Sequence, residues 1–224
     1  DQIEFTGGKK NTINFEFIKG RLKARYNTSS PQTAVRYFEK MYEDIPTNEN
    51  KYAYISALQA NGQTDRALDE LNEVLKKFPK NLILNFTKSE ILLSGQRLNE
   101  AQENIDQVLN IAPGNYPASI IKSKILSSKK EFIKAEEILR DLLIGKNRDP
   151  GLWIQLSEVQ RAGKNIVGYH LSRGEYYTLI GDFDNALNQF QFALSLSGNS
   201  FQTSETIMTK IEFARERLSK RRGF

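Results

Sequence analysis

Cysteine is absent from this chain, and histidine, tryptophan and methionine are scarce. The 224 residues contain no Cys, one His, one Trp and two Met. Without cysteine the chain has no disulfide, thiol nucleophile or cysteine-ligated metal site, and one histidine cannot supply the ligand set of a zinc centre. A lack of cysteine fits an oxidising compartment as well as a reducing one, so it does not indicate a location.

Long apolar runs are missing too. No segment approaches the roughly 18 consecutive apolar residues that a membrane span needs, and no basic-then-apolar leader follows Asp1. We expect the sequence to be a processed product or, in preference, a piece of a longer protein. With 39% hydrophobic and 26% charged residues, its composition is that of a globular chain.

Charge of one sign is not concentrated in the sequence. The net charge of +5 arises from 32 Lys and Arg interspersed with 27 Asp and Glu, which is typical of solvated helix faces. The exception is the basic end of the chain, which could meet acidic lipid or nucleic acid; a solvated helix end is the favoured interpretation. Its basic residues are Arg215, Arg217, Lys220, Arg221 and Arg222.

Alanine recurs at a fixed interval through most of the chain. Ala34, Ala67, Ala101 and Ala135 lie 33, 34 and 34 residues apart, and a proline follows each of the first three twelve residues later. A period of this length with such punctuation is typical of the tetratricopeptide repeat, a helix–turn–helix unit. One unit cannot bury its apolar face alone, so neighbouring units must stack.

The stretch from Tyr169 to Leu196 carries the repeat pattern most completely. Gly181 is placed to end the first helix in a left-handed conformation, and Asp182 or Asp184 can cap the next. Small residues allow the two helices to approach, and aromatic residues fill the space beside them. The small residues are Gly174, Ala186 and Ala193, and the aromatic residues are Tyr177 and Phe190.

The periodicity predicts an all-α fold, an α-α superhelix of about twelve antiparallel helices in six hairpins. We expect residues 1–11 to form a linker or tail and residues 12–222 to form a single repeat domain. The predicted hairpins span residues 12–46, 48–80, 81–114, 116–147, 151–180 and 183–222. At Tyr169 the expected alanine is missing, and the consensus restarts about half a repeat later.

Apolar stripes at helical spacing predict the inner faces of the helices. The first helix is predicted to bury Phe15, Ile18, Leu22 and Tyr26. The last is predicted to bury Ile207, Ile211, Phe213, Ala214 and Leu218.

Two stretches resemble a known family beyond the generic repeat. The residues Tyr169–Tyr177 and Gly181–Ala186, preceded by Trp153–Gly163, resemble the C-terminal repeat region of bacterial periplasmic zinc metallopeptidases, the family that includes the β-barrel assembly-enhancing protease. The segment Phe17–Ala24 is similar to the one that follows the protease domain in that family. Gly174 stands where the family pattern has alanine.

The resemblance implies a non-catalytic interaction domain of a secreted, periplasmic metallopeptidase active in bacterial protein quality control and outer-membrane assembly. Its expected partners are unfolded outer-membrane proteins, their assembly machinery or its own protease domain. The HExxH helix that holds zinc in such enzymes is not in this sequence. We therefore expect no catalytic residue, metal site or cofactor in this chain, and zinc only in a protease domain outside it.

Two single residues have a functional and a packing interpretation. His170 could be a lone recognition residue, and Trp153 could anchor a partner. Packing within the helices is the favoured interpretation of both, because one ligand does not make a zinc site and the repeat has a tryptophan position of its own.

The first helix of each repeat is expected to line a concave binding surface. Tyr52, Phe86 and Ile120 recur at one repeat position and indicate either a groove for an apolar peptide or packing between neighbouring first helices. The asparagine and lysine set that clamps a C-terminal carboxylate in other arrays does not recur. The residues that the register assigns to this surface are Lys19, Lys23, Tyr52, Ser56, Gln59, Phe86, Glu90, Ile120, Lys124, Gln155 and Arg161.

Two other functions fit the sequence. A free-standing repeat adaptor or assembly scaffold would have no protease domain upstream. A basic solenoid that binds RNA, the less favoured alternative, would lose affinity steeply as salt rises.

Overall fold

Helices make up the regular secondary structure of the computed structural model, which describes residues 8–26, 30–198 and 200–222. These ranges contain twelve α-helices and no strand, so the predicted all-α fold is confirmed. The helices are α1 (Gly8–Tyr26), α2 (Pro31–Asp44), α3 (Asn48–Ala60), α4 (Thr64–Lys77), α5 (Leu82–Ser94), α6 (Leu98–Ile111), α7 (Tyr116–Ser128), α8 (Phe132–Lys146), α9 (Pro150–Ala162), α10 (Ile166–Leu179), α11 (Phe183–Leu196) and α12 (Phe201–Arg222).

The chain divides into two compact units. The first is Asp1–Pro113, with α1 to α6, and the second is Gly114–Phe224, with α7 to α12. The single domain over residues 12–222 stays a prediction. Of the predicted tail, residues 1–7 lie outside the described ranges, whereas α1 already begins at Gly8.

The start of each first helix repeats every 34 residues. A side-chain oxygen before α3, α5, α7 and α9 accepts a backbone N–H of the first turn, at donor–acceptor distances of 3.2, 3.2, 3.1 and 2.8 Å. Each bond satisfies one of the donors that a helix start leaves unpaired. The capping residues are Thr47, Asn81, Asn115 and Asp149.

The turn between first and second helix repeats with the same interval. One residue in each turn adopts a left-handed conformation, with φ between 59° and 71°. Glycine adopts it freely, and other residues do so at a cost of roughly 1–2 kcal/mol. The four residues are Gly62, Gln96, Lys130 and Lys164. The 34-residue repeat is therefore present in the backbone as well as in the alanines.

Small residues sit at the helix contacts, as predicted. Ala67, Ala101 and Ala135 on the second helices are completely buried. In the second unit, Gly174 of α10 faces Phe190 of α11, and a β-carbon at residue 174 would lie 2.2 Å from the phenyl ring. Ala186 and Ala193 are buried in the same core cluster as Phe190, and Asp182 caps α11.

The predicted buried stripe of α1 is wrong. Phe15, Ile18, Leu22 and Tyr26 are 48–75% exposed, and the buried aromatic side chain of α1 is Phe17. The physical reason is Gly20, three residues after Phe17. Its missing side chain lets α1 approach the backbone of α3, so the face with Phe17 and Gly20 is the one that packs.

One residue of the predicted inner face of α12 is also misplaced. Ile207, Ile211, Ala214 and Leu218 are buried at intervals of three and four residues, as predicted. Phe213 lies beside this stripe and is 41% exposed, with the Arg217 guanidinium 5.1 Å from the centre of its ring.

Gly174→Ala should destabilise the protein by roughly 1–3 kcal/mol, because the buried Phe190 ring would have to move to admit a methyl group. Urea unfolding monitored by circular dichroism measures the change. Gly145→Ala is the matched control, since nothing lies within 4 Å of a β-carbon at this glycine of α8. Equal stability of the two variants would contradict the close contact of α10 with α11.

Candidate peptide-binding surface

Helix α1 packs on α3, the first helix of the next repeat, and makes polar side-chain contacts with α5, the first helix of the repeat after it. Its main packing partner is α3, and α2, its neighbour in sequence, also packs mainly on α3. At the start of α3, Asn48 Nδ2 donates to Glu16 Oε2 in the middle of α1 at 3.0 Å; at the ends of both helices, Arg25 and Gln59 line one recess. Helices α1 and α3 therefore run in the same direction.

The closest approach between α1 and α3 is at Gly20. A β-carbon there would lie 2.3 Å from the carbonyl oxygen of Glu49 and 3.1 Å from the amide nitrogen of Ala53. Contacts below 3.0 Å are not tolerated by backbone atoms that cannot move away. Only glycine fits at this position while α1 is docked.

An aromatic cluster anchors α1 one turn earlier. The ring of Phe17, which is completely buried, lies 5.3 Å from the ring of Tyr52 on α3 and 6.0 Å from that of Phe78 at the end of α4. The phenol of Tyr52 is hydrogen bonded to the hydroxyl of Thr87 on α5. Burial raises the pKa of Tyr52 above its ordinary value.

Acidic residues of α3 and α5 pair with basic residues of α1. Glu49 accepts from Lys19 Nζ at 3.0 Å and also pairs with Lys23. Arg21 Nη2 donates to Glu90 Oε1 at 3.0 Å. Burial by itself raises the pKa of Glu49, but the hydrogen bonds from Lys23 and Lys19 outweigh it and hold the pKa below its ordinary value.

The surface that receives α1 is called the α1 groove here, and it consists of Glu49, Tyr52, Ala53, Asn81 and Glu90. Asn81, the cap of α5, donates from Nδ2 to Asn14 Oδ1 on α1 at 2.8 Å. The groove thus combines an aromatic floor, two carboxylates and a glycine-sized contact. An arrangement of this kind suits an amphipathic basic helix.

In the first unit, some of the predicted surface residues belong to the α1 groove and others lie on α1 itself. Tyr52 and Glu90 belong to the α1 groove, whereas Lys19 and Lys23 lie on the helix that fills it. Ser56 and Gln59 line a recess of about 450 Å³ at the C-terminal end of α1, together with Arg21, Ala24, Arg25, Ala60 and Ser94. Phe86 is half-buried on α5.

Two predicted residues of the second unit line one pocket between α7 and α9. Lys124 is exposed at its edge, and Gln155 is half-buried on the facing helix. The buried oxygen Oε1 of Gln155 has no hydrogen-bond partner among the described residues. The pocket has a volume of about 310 Å³, and its remaining lining residues are Ser123, Ser127, Ser128, Leu139, Ile154, Glu158 and Val159.

The other two predicted residues of the second unit do not line this pocket. Ile120 packs against the core cluster that contains Leu126 and Leu156, so it follows the packing interpretation. Arg161 is exposed and pairs with Glu158 on its own helix at 2.8 Å. Tyr52 and Phe86 lie in the first unit and Ile120 in the second, so the apolar groove that the three would form together stays a prediction.

His170 and Trp153 both make packing contacts. His170 Nδ1 lies 2.9 Å from Gln189 Oε1, and its ring is 5.4 Å from that of Phe192 on α11. Trp153 Nε1 donates to the Asn147 carbonyl at 2.7 Å, and the side chain packs against a core cluster.

The described residues offer no site of two other kinds. None of their His, Asp and Glu side chains form a group of three that could hold a metal ion. No described helix is both long and apolar enough to cross a bilayer.

Sequence reasoning missed three residues that hold α1. Phe17 and Gly20 were passed over because the stripe through Phe15 has more large apolar side chains. Glu49, at the second position of α3, was not assigned to the surface. A small residue three positions after an aromatic one, on a helix with basic flanks, is the signal that could have found the docked face.

Glu49→Gln should weaken the docking of α1 by about 1 kcal/mol at neutral pH, because it removes the ion pairs with Lys19 and Lys23. The pKa of Glu49 is depressed, so its contribution exists above the ordinary carboxyl pKa and is lost as the pH falls through the depressed value. The variant should therefore differ from the parent chain at pH 7 and come to resemble it once the pH has fallen below the depressed pKa of Glu49.

Amide hydrogen exchange of residues 13–24 measures this docking. Glu73→Gln is the control, since Glu73 pairs with the neighbouring Lys76 on the exposed face of α4. Faster exchange in both variants, or in neither, would show that Glu49 does not hold α1.

Comparisons with known proteins show what this chain is similar to. Residues 58–125 match the tetratricopeptide repeat family. The comparison with curated proteins gave no match. Among solved structures, a tetratricopeptide repeat protein from Parabacteroides merdae ATCC 43184 is similar over 94% of this chain and 87% of its own, with a TM-score of 0.54 and 16% sequence identity.

Two further solved structures are more distant. A thermophilic tetratricopeptide protein of Thermus thermophilus, TTC0263, has 17% identity and a TM-score of 0.41, covering 81% of this chain and 99% of its own. MamA from Desulfovibrio magneticus RS-1 has 18% identity and a TM-score of 0.44, covering 85% and 98%. Residues 58–125 thus resemble the tetratricopeptide repeat, and the chain shares its fold with the tetratricopeptide repeat protein from Parabacteroides merdae.

Proposed function

We propose that the chain is a non-catalytic protein-interaction module that binds polypeptide segments on the first helices of its repeats. The observation that carries this proposal is the docking of α1. Tyr52 and Glu90, which the repeat register assigns to the binding surface, contact a helical segment through an aromatic ring and an ion pair. Residues at these positions are thus able to hold a polypeptide.

The pocket between α7 and α9 supports the same function in the second unit. It is lined by Gln155, whose buried Oε1 has no hydrogen-bond partner among the described residues, and by Lys124, whose ammonium group is a hydrogen-bond donor. Apolar atoms of Leu139 and Val159 form part of its wall. A few polar groups around an apolar surface suit the backbone and side chains of a bound peptide.

The more specific part of the proposal concerns the parent protein and its partners. The chain is proposed to be the repeat domain of a periplasmic zinc metallopeptidase and to bind unfolded outer-membrane proteins or their assembly machinery. Its basis is the resemblance of Tyr169–Ala186 and Phe17–Ala24 to that family. Zinc would belong to the protease domain.

The gene sequence upstream of Asp1 discriminates between the parent proteins. A metallopeptidase requires an encoded HExxH helix and a signal peptide before the first residue of this chain. If the upstream sequence encodes neither, the chain belongs to a free-standing adaptor.

Photo-cross-linking tests the binding of unfolded outer-membrane proteins. The photoreactive residue p-benzoylphenylalanine replaces Gln155, and a urea-unfolded outer-membrane barrel protein is diluted into the purified chain before irradiation. We expect cross-links from position 155, identified by mass spectrometry. They should persist at high salt, because the pocket is partly apolar.

The control places the photoreactive residue at Ile133, which is 77% exposed on the second helix α8. Cross-links from both positions would indicate nonspecific binding of the unfolded protein. No cross-link from position 155 would contradict the pocket as a binding surface for this partner class.

A further inference from the structure

We propose that the α1 groove is the binding site for a basic amphipathic helix of a partner protein, and that α1 is the intramolecular competitor of that helix. This inference rests on the proposed function and names the partner chemistry of one surface. Its starting point is that α1 covers residues of α3 and α5 that the repeat register assigns to ligand binding.

The contacts of α1 define what the groove recognises. An aromatic residue enters the cluster of Tyr52 and Phe78, and a residue without a side chain follows three positions later, against α3. Basic residues two, four and six positions after the aromatic one meet Glu49 and Glu90. In this chain these residues are Phe17, Gly20, Lys19, Arg21 and Lys23.

Charge complementarity argues for a basic helix rather than another occupant. Among the described charged residues of α1, Glu16 is the single acid and four residues are basic. Both carboxylates of the groove point to this helix, and a neutral or acidic helix would leave them partly buried without a cation. Unpaired buried charge is costly, so the groove selects against such helices.

Docked α1 does not use the full binding capacity of the groove. The Oε2 atom of Glu90 is buried and has no hydrogen-bond partner in the part of the chain that the structure describes. A partner helix with an additional donor at this point would make a bond that α1 does not make. Satisfying a buried acceptor strengthens binding, which gives a partner a means to replace α1.

The exposed outer face of α1 lowers the free-energy cost of releasing this helix from the groove. Phe15, Ile18, Leu22 and Tyr26 are already 48–75% exposed in the docked state, so the aromatic rings that release newly exposes are mainly Phe17 and its neighbour Tyr52. Competition by a tethered segment acts through its effective concentration, which reaches the millimolar range for short linkers. A free helix of the same sequence should therefore bind the intact chain weakly and a chain with undocked α1 more tightly.

The test measures binding of a fluorescein-labelled synthetic peptide with the sequence of residues 8–26 by fluorescence anisotropy. The Gly20→Ala variant of the full chain cannot dock α1 without moving the backbone of Glu49, while its groove is unchanged. We expect the variant to bind the peptide at least tenfold more tightly than the parent chain. Equal affinities would overturn the proposal.

Two controls separate groove binding from general adhesion. Gly145→Ala in the full chain removes a helical glycine that has open space around it and should leave peptide affinity at the parent value. A peptide carrying Gly20→Ala should bind at least tenfold more weakly than the parent peptide. If it binds equally well, the peptide is not held in the groove.

A covalent lock keeps the proposal testable if Gly20→Ala does not fold. The chain has no cysteine, so Asn14→Cys with Asn81→Cys gives a unique pair where two side chains now share a hydrogen bond. Joining them with a short bismaleimide should abolish the residual peptide binding of the unlinked double variant. Persistent peptide binding in the locked chain would contradict the proposal. The proposed function is tested separately, by the photo-cross-linking from position 155.

Discussion

Close approach of helices at small residues is the constraint on which the structure depends. Ala67, Ala101 and Ala135 have no exposed surface and stand where the second helices pack, and Gly174 meets the ring of Phe190. The same constraint operates at Gly20, where α1 meets the backbone of α3. A methyl group is too large at the two glycines, so these residues fix which helix faces meet.

The docking of α1 links this packing rule to function. A repeat built from first and second helices leaves one face of each first helix without a partner of its own. In the first unit α1 covers this face, with Phe17 among aromatic rings and basic residues opposite Glu49 and Glu90. The contacts are those of a helix bound in a groove. The docked α1 is therefore the model for the proposed binding of a partner helix.

The two units treat equivalent surfaces differently. Residues of α3 and α5 hold α1, whereas the pocket between α7 and α9 keeps the unpaired oxygen of Gln155. A pocket lined by both polar and apolar side chains suits the transient binding of many segments. A filled groove with two carboxylates suits selective binding of one type of helix, because each competitor has to replace ion pairs and an aromatic anchor.

The fold could be predicted from the sequence because its determinants are local and periodic. The alanine interval, the prolines and the stripes of the second helices specify helices of known spacing. The occupant of the first unit's surface could not be predicted in this way. The helix α1 carries two apolar faces. The face with Phe15 has more large apolar side chains than the face with Phe17 and Gly20, so the sequence pattern favours it. A glycine adds nothing to an apolar stripe, yet here its missing side chain decides the docking.

The most direct test of the docked α1 is the nuclear Overhauser effect between the α-protons of Gly20 and the amide proton of Ala53 in the intact chain. The account predicts a strong effect between them, together with effects between the ring protons of Phe17 and Tyr52. If the Gly20 protons show effects only to residues of α1 or α2, the helix is not in the groove and the central claim is contradicted.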